Sequence, residues 1–449
     1  MHKFSSTICV FMALLVGLIP LGEGFAQTSK KSLDMQMMTV GGSDLQQCPS
    51  DAPVNLHLTH VLQRALRCSP ELMEFQLNYQ IAQADSMIAS QRPNPVLGLG
   101  ADSINPTPGR SPQGTRQIDS SVRIDQLVEL GEKPRFRREA ASAAELAAQF
   151  SLKFAQKAVL SDVEHIYFDV LSAQQRAMDL AEMVQMNQRV LEVAQARFKA
   201  GDISDLELKK IVLDITRANN EYQNAKTDLA KSKSNLAKML GYNQTLNQTT
   251  LARDWPNHEI SIPAIPWERI SQRADLRVLQ NRTLSAEKSR YLARALRVPD
   301  VTVGLQYNHL PVTGTYELGT VNTYMLNLSV PLFLRHSYEG ELRKAEIEYF
   351  KFRDEQLRGE KDAHTSLKYQ EAELVANQER LTRVLKEILP TASQVAASAE
   401  FAYAKGAIGV LDLIDARRSL RQARTEASQI RTDFAKSLSS FKLAIEIEE

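Results

Sequence analysis

The chain has 449 residues, 54 of them Lys or Arg and 53 Asp or Glu, for a formal net charge of +1. So even a balance leaves no basic footprint for nucleic acid, and no stretch beyond the N-terminal segment approaches the roughly 18 consecutive apolar residues that a membrane-spanning helix requires. A chain this long ordinarily suggests two or three domains.

At the N-terminus, Lys3 precedes an apolar run over residues 8–19 and then the small residues Gly24 and Ala26 at cleavage spacing. This predicts a secretory signal peptide over 1–26. A leader over 27–55 follows. Its Leu45-Gln46-Gln47-Cys48 resembles a lipidation box but has no apolar run ahead of it. Met35, Met37 and Met38 are soft enough to ligate copper(I), although a leader accounts for them more simply. Cys48 and Cys68 are the cysteines left after processing, and an oxidising compartment permits a disulfide between them, two unpaired thiols being the alternative. His57 and His60 lie three apart with no carboxylate at metalloprotease spacing, and read as surface or capping residues.

Strand patterns begin at residue 96. The segment over 96–102 is the weakest. Its Gly98-Leu99-Gly100 starts like a nucleotide loop but runs on as Ala101-Asp102-Ser103 inside a strand. Val122, Ile124, Val128 and Leu130 then alternate with Arg123, Asp125 and Glu129. Two further strands follow much later, with Val301, Val303, Leu305 and Tyr307 against Thr302, Gly304, Gln306 and Asn308, and with Tyr324, Leu326, Leu328, Val330 and Leu332 against Met325, Asn327 and Ser329. Runs of about ten residues with one apolar and one polar face suit tilted strands between lipid and a water-filled lumen. An ordinary half-buried sheet is the alternative. Four strands cannot close a barrel, and an open edge is not tolerated in hydrocarbon. The chain is therefore expected to oligomerise, and a trimer of twelve strands leaves a channel where a dimer of eight would fill its interior.

Between the strand pairs, residues 134–200 hold no glycine and no proline after Pro134, and Val163, Ile166, Val170, Ala173, Ala177, Leu180 and Val184 keep a three-four spacing. A helix of that length reaches on the order of 100 Å, and its heptad seam implies left-handed supercoiling against neighbours. It ends at Gly201-Asp202-Ile203. A return helix carries the seam Ile211, Ile215, Ala218, Tyr222, Ala225, Leu229, Ser232, Leu236 and Met239. Residues 242–265 read as connector, rich in Asn, Thr and Pro.

The second half repeats the first. Adding 205 to each seam position gives Ala416, Leu420, Ala423, Ala427, Ile430, Phe434, Ser437, Phe441 and Ala444, and the turn recurs as Gly406-Ala407-Ile408. Around the strands the offset is 204, with Pro95 meeting Pro299 and Gly100 meeting Gly304, so one residue is inserted in the intervening helix of the second half. Pro390 falls inside that helix, and a kink or break is expected near Leu389. The repeats run over 56–241 and 266–449. No nucleophile elbow and no cysteine pair at zinc spacing is present, so neither an enzyme nor a cofactor is expected.

With the shared pattern aromatic, x, x, Gly, x, Ile, small, x, Leu, acid, Leu in both halves, the chain resembles the outer membrane efflux protein (TolC) family over nearly all of its mature length. The resemblance implies a mainly α homotrimer with a small β part: an outer-membrane β-barrel, four strands per chain, continued by a long α-helical coiled-coil barrel across the periplasm. It implies passive export as the exit duct of a tripartite pump, with a periplasmic adaptor and an inner-membrane transporter of the RND type as partners and outer-membrane lipid around the barrel. Gly201, Asp202, Ile203, Gly406, Ala407 and Ile408 would be adaptor-docking tips. Asp412 and Asp415 would form an acidic pore constriction, Glu207 and Lys210 standing at the matching positions of the first half. Glu129-Leu130-Gly131-Glu132-Lys133-Pro134-Arg135 is similar to the heavy-metal cation branch, where a second glycine commonly replaces Glu132. A duct for type I polypeptide secretion and a non-transport periplasmic coiled-coil tether are the competing readings.

Overall fold

The computed structural model describes residues 48, 53–102, 118–310 and 321–445. The expected signal peptide, Met35, Met37 and Met38 lie outside the described residues. The chain divides into units of residues 1–50 and 51–449, and every element below belongs to the second.

A two-residue strand β1 (Asn55–Leu56) leads into helices α1 (Leu58–Cys68) and α2 (Pro70–Ser90). Pro70 opens α2, where its missing N–H has no intrahelical partner to lose. Cys48 and Cys68 are each disulfide-bonded. Strands β2 (Val96–Asp102) and β3 (Asp119–Val128) precede the 67-residue helix α3 (Lys133–Lys199), which returns as α4 (Asp205–Met239). The connector contributes β4 (Thr250–Leu251), parallel to β1, and a 3-10 turn over Trp267–Gln272. The second half repeats the order with α5 (Ala274–Ala295), β5 (Val301–Leu310), β6 (Val321–Ser329), α6 (Glu339–Arg383), a π-turn (Val384–Ile388), α7 (Leu389–Ala404) and α8 (Val410–Ile445).

Every position of the heptad seam is buried or half-buried in both α4 and α8. Each half thereby supplies most of one core. In the first, Val163, Tyr167 and Val170 of α3 pack against Leu236 of α4 and Val61 of α1; in the second, Leu367, Leu374 and Leu381 of α6 pack against Phe434 and Phe441 of α8. The connector is pinned to the first core. Tyr167 donates its hydroxyl to the Ala252 carbonyl at 2.8 Å, and Trp255 stacks on Phe168. Burial, with Asp254 nearby, raises the Tyr167 phenol well above its ordinary range.

The sheet order is β2-β3-β5-β6, all antiparallel, so the β3–β5 pairing joins the two halves. Register aligns Leu97, Ile124, Leu305 and Leu326 in one row across the sheet. That row is exposed: Leu97 is 62% and Leu326 75% accessible. Two strand ends fall short of expectation. Leu130 lies beyond β3 because its N–H is taken by Asp300 Oδ1 at 2.9 Å and Gly131 turns the chain at φ +71°. Val330 and Leu332 lie beyond β6, since Pro331 between them has no N–H for the ladder.

The kink or break expected near Leu389 takes the form of a π-turn over Val384–Ile388, and the chain stays helical through it. Backbone angles stay helical at Ile388 (−70°, −51°) and Leu389 (−68°, −43°), and the Leu389 N–H donates to the Val384 carbonyl five residues back. A single wide turn thus carries the chain past the ring of Pro390, which would collide with a carbonyl in a regular α-helix.

Candidate functional site

The two helical reversals are built alike. At the first, the Asp202 N–H donates to the Arg197 carbonyl (2.9 Å) and the Gly201 N–H to the Phe198 carbonyl (3.0 Å), with Gly201 at φ +81°. At the second, Ala407 donates to Ala402 (2.9 Å) and Gly406 to Tyr403 (3.0 Å), with Gly406 at φ +74°. These are Schellman closures, and the left-handed residue they need is the glycine of the repeat. Ser204 then caps α4 in a reciprocal box: its hydroxyl accepts from the Glu207 N–H, and the Glu207 carboxylate accepts from the Ser204 N–H at 2.8 Å. The Ser204 N–H, and after it the Ser204 hydroxyl donating to the same carboxylate oxygen at 3.0 Å, hold the Glu207 carboxyl below its ordinary range. The shared acid of the repeat therefore has a capping role in the first half.

Both reversals close over one apolar cluster, in which Ile203 and Ile408 meet Ala194, Ile211, Tyr403, Val410 and Leu413. Ile203 is only 9% exposed and Ile408 half-buried, whereas Gly201, Asp202, Gly406 and Ala407 are exposed. Of the six residues expected to dock a partner, the isoleucines hold the reversals to each other and the other four face outward. Arg197, which has no motif to mark it, ties the two turns: its guanidinium lies 5.0 Å from the Tyr403 ring centroid and donates to the Tyr403 carbonyl at 3.2 Å. Burial, the largest influence, raises the Tyr403 phenol above its ordinary range. Beside the glycines, Leu206 (63%) and Leu411 (58%) occupy matching positions of the repeat and are exposed.

Asp412 and Asp415 lie on the first turns of α8, both exposed, and neither makes an ion pair among the described residues. Their face continues through Ser419, Gln422, Glu426 and Gln429, all exposed and none cationic. The cations of α8 point elsewhere. Arg417 meets Glu400 (2.9 Å) and Asn187 (2.7 Å), Arg424 meets Glu182 (3.0 Å), and Lys436 meets Asp169 (2.6 Å). On the α4 side, Arg418 approaches Asp214 and Arg421 approaches Glu221. Acids of α3, α4 and α7 thus draw the positive charge of α8 away from its acidic stripe. Among the described residues no group of three or more His, Cys, Asp or Glu is placed to hold a metal ion.

The chain matches the family model described as outer membrane efflux protein over residues 61–242 and 266–445. It is 24% identical over 409 residues to the cobalt-zinc-cadmium resistance protein CzcC of Cupriavidus metallidurans, covering 90% of this chain and 93% of that one. It is 22% identical over 413 residues to nodulation protein T of Rhizobium leguminosarum bv. trifolii, covering 86% and 85%. Among solved structures, CusC superposes with a TM-score of 0.74 at 17% identity, covering 87% of this chain and 92% of that one, a likeness of fold.

Proposed function

Because the chain belongs to the outer membrane efflux protein family, we propose that it is the outer-membrane exit duct of a tripartite efflux pump, working as a homotrimer and carrying out no catalysis. The observation that carries this reading is the four-stranded sheet, whose apolar rows are exposed and whose outer strands, β2 and β6, each pair on one side only among the described residues. A sheet with one lipid-compatible face and two open edges is stable in a membrane only when its edges are closed, and three copies give a twelve-stranded barrel with room for a lumen. The long helices would continue that barrel into the periplasm. The exposed tip residues Gly201, Asp202, Gly406 and Ala407 would meet a periplasmic adaptor, with Ile203 and Ile408 holding the tip in shape. Three copies of Asp412 and Asp415 would form the constriction.

Heavy-metal cations are the substrate class this reading favours, supported by the likeness to a protein named for cobalt-zinc-cadmium resistance and by the stretch Glu129–Arg135. The energy would come from an inner-membrane transporter of the RND type. Expression in a host lacking its own duct tests the assignment: a heat-modifiable trimer in the outer-membrane fraction, with metal tolerance gained only when adaptor and transporter are present. A monomer in the periplasmic fraction would leave the tether reading. A trimer that co-purifies with the adaptor of a polypeptide exporter would favour secretion.

A further inference from the structure

The polar face of the sheet carries an ion pair that fold stability does not explain. Arg123 and Asp125 of β3 lie on that face, with Arg123 Nε donating to Asp125 Oδ1 at 2.7 Å, and both side chains are partly exposed. Each has a glycine opposite it on one side, Gly98 of β2 for Arg123 and Gly304 of β5 for Asp125, with Gln306 and Val96 opposite them on the other. A Cβ built at Gly304 would collide with Asp125 Oδ1 and come within 3.4 Å of Arg123 Nε. The pair therefore lies flat over the place where a side chain would stand. Further along the same face, Gln306 donates to Asn308 at 2.6 Å and Asn308 to Thr323 at 3.2 Å, so these polar side chains too run along the wall. Among the described strand residues Arg123 is the one cation of this face.

Magnitudes decide what the arrangement is for. A partly exposed ion pair contributes little to stability, and a glycine within a strand costs a comparably small amount. The two nearly cancel. We propose that Arg123, Asp125 and Gly304 form a charge-compensated collar in the barrel lumen, in which the glycine lets the arginine fold against the wall, paired, so that it neither narrows the lumen nor repels passing cations. This rests on the duct reading, in which the polar face lines the lumen. Three unpaired arginines at one level would otherwise set up a positive ring, and at physiological salt its field reaches about 8 Å.

The test is local and independent of the tip. Asn308→Cys places a thiol on the polar face of β5, four residues from Gly304 and opposite Ser121, which stands two residues from Arg123 on β3, while the native Cys48 and Cys68 are disulfide-bonded. Intact cells are treated with membrane-impermeant methanethiosulfonates, one anionic and one cationic, and the ratio of labelling rates reads the local potential. Adding Asp125→Asn should raise the anionic-to-cationic ratio by roughly three-fold or more, Arg123→Gln should lower it, and the double change should restore it. Gly304→Val should slow both reagents by displacing the pair into the lumen while leaving the ratio in place. Each variant is first confirmed as a heat-modifiable trimer. If Asn308→Cys labels readily but none of these changes moves the ratio or the rates, the collar is wrong and the duct stands. If Asn308→Cys resists both reagents while Leu305→Cys on the opposite face accepts them, the lumen-facing assignment fails and the collar with it.

Discussion

Glu132 precedes α3 with φ +59° and Tyr338 precedes α6 with φ +58°, so both halves enter their long helix through a left-handed residue that is not glycine. Such a backbone costs a side-chain-bearing residue roughly 1–2 kcal/mol, part of which glycine returns as chain entropy. Glu132→Gly is expected to raise stability by about 0.5 kcal/mol, seen as a higher unfolding temperature of the trimer, since the Arg135 contact it removes is exposed (3.3 Å) and weak. Glycine is therefore the unstrained choice at this position. The tips admit a sharper comparison. Ile203→Asp buries a carboxylate in the cluster shared by both turns and should loosen the tip by roughly 3 kcal/mol, read as faster hydrogen exchange over 194–215. Leu411→Asp changes an exposed side chain and should leave exchange unaltered. If Leu411→Asp nonetheless abolishes adaptor co-purification, the docking surface lies on the exposed leucines.

The inserted residue of the second half has a physical form in the π-turn, which adds one residue to a helix without rotating the turns beyond it. It keeps Leu381 in the core of the second half and Tyr403 in the tip cluster on their proper faces. Deleting Lys386 should convert the turn to α-helix, but Pro390 would then lack room and cost about 3 kcal/mol. Deletion combined with Pro390→Ala should recover most of that loss in thermal unfolding of the trimer. The helices, seams and alternating strands are legible in the sequence because their periods persist over many residues. Features shorter than a period are not. The β1–β4 pairing spans two residues, and the π-turn leaves only a change of offset from 204 to 205 as its trace. Strand ends are set by single groups, Pro331 and the Asp300 carboxylate. At the tips the repeat marks the right residues, but pattern alone does not separate Ile203, which faces inward, from Leu206, which faces out, and nothing in the spacing reveals that Arg197 bridges the two turns.

At the scale of the whole molecule, the charges of α8 divide cleanly, and this bears on the gate. Arg417, Arg418, Arg421, Arg424 and Lys436 are engaged by acids or amides of neighbouring helices, while the stripe from Asp412 to Gln429 stays exposed and free of cations. If three copies turn that stripe to the channel axis, six carboxylates converge at the closed tip, where a narrow, poorly solvated passage strengthens their field on ions. The closed channel should then conduct weakly, favour cations and be blocked by multivalent cations bridging the copies. Asp412→Asn with Asp415→Asn should weaken the cation preference and relieve that block. Neither aspartate makes an ion pair among the described residues, so the change removes charge without stranding a described partner, and the sheet lies a 67-residue helix away, on the order of 100 Å. Purified trimer in a planar bilayer supplies the measurement, with reversal potential in a salt gradient and conductance during titration with a trivalent cation. Equal selectivity and equal block in wild type and double mutant would place Asp412 and Asp415 on the outer face of the helical barrel. The constriction would then have to be sought among the exposed tip residues Gly406, Ala407 and Leu411.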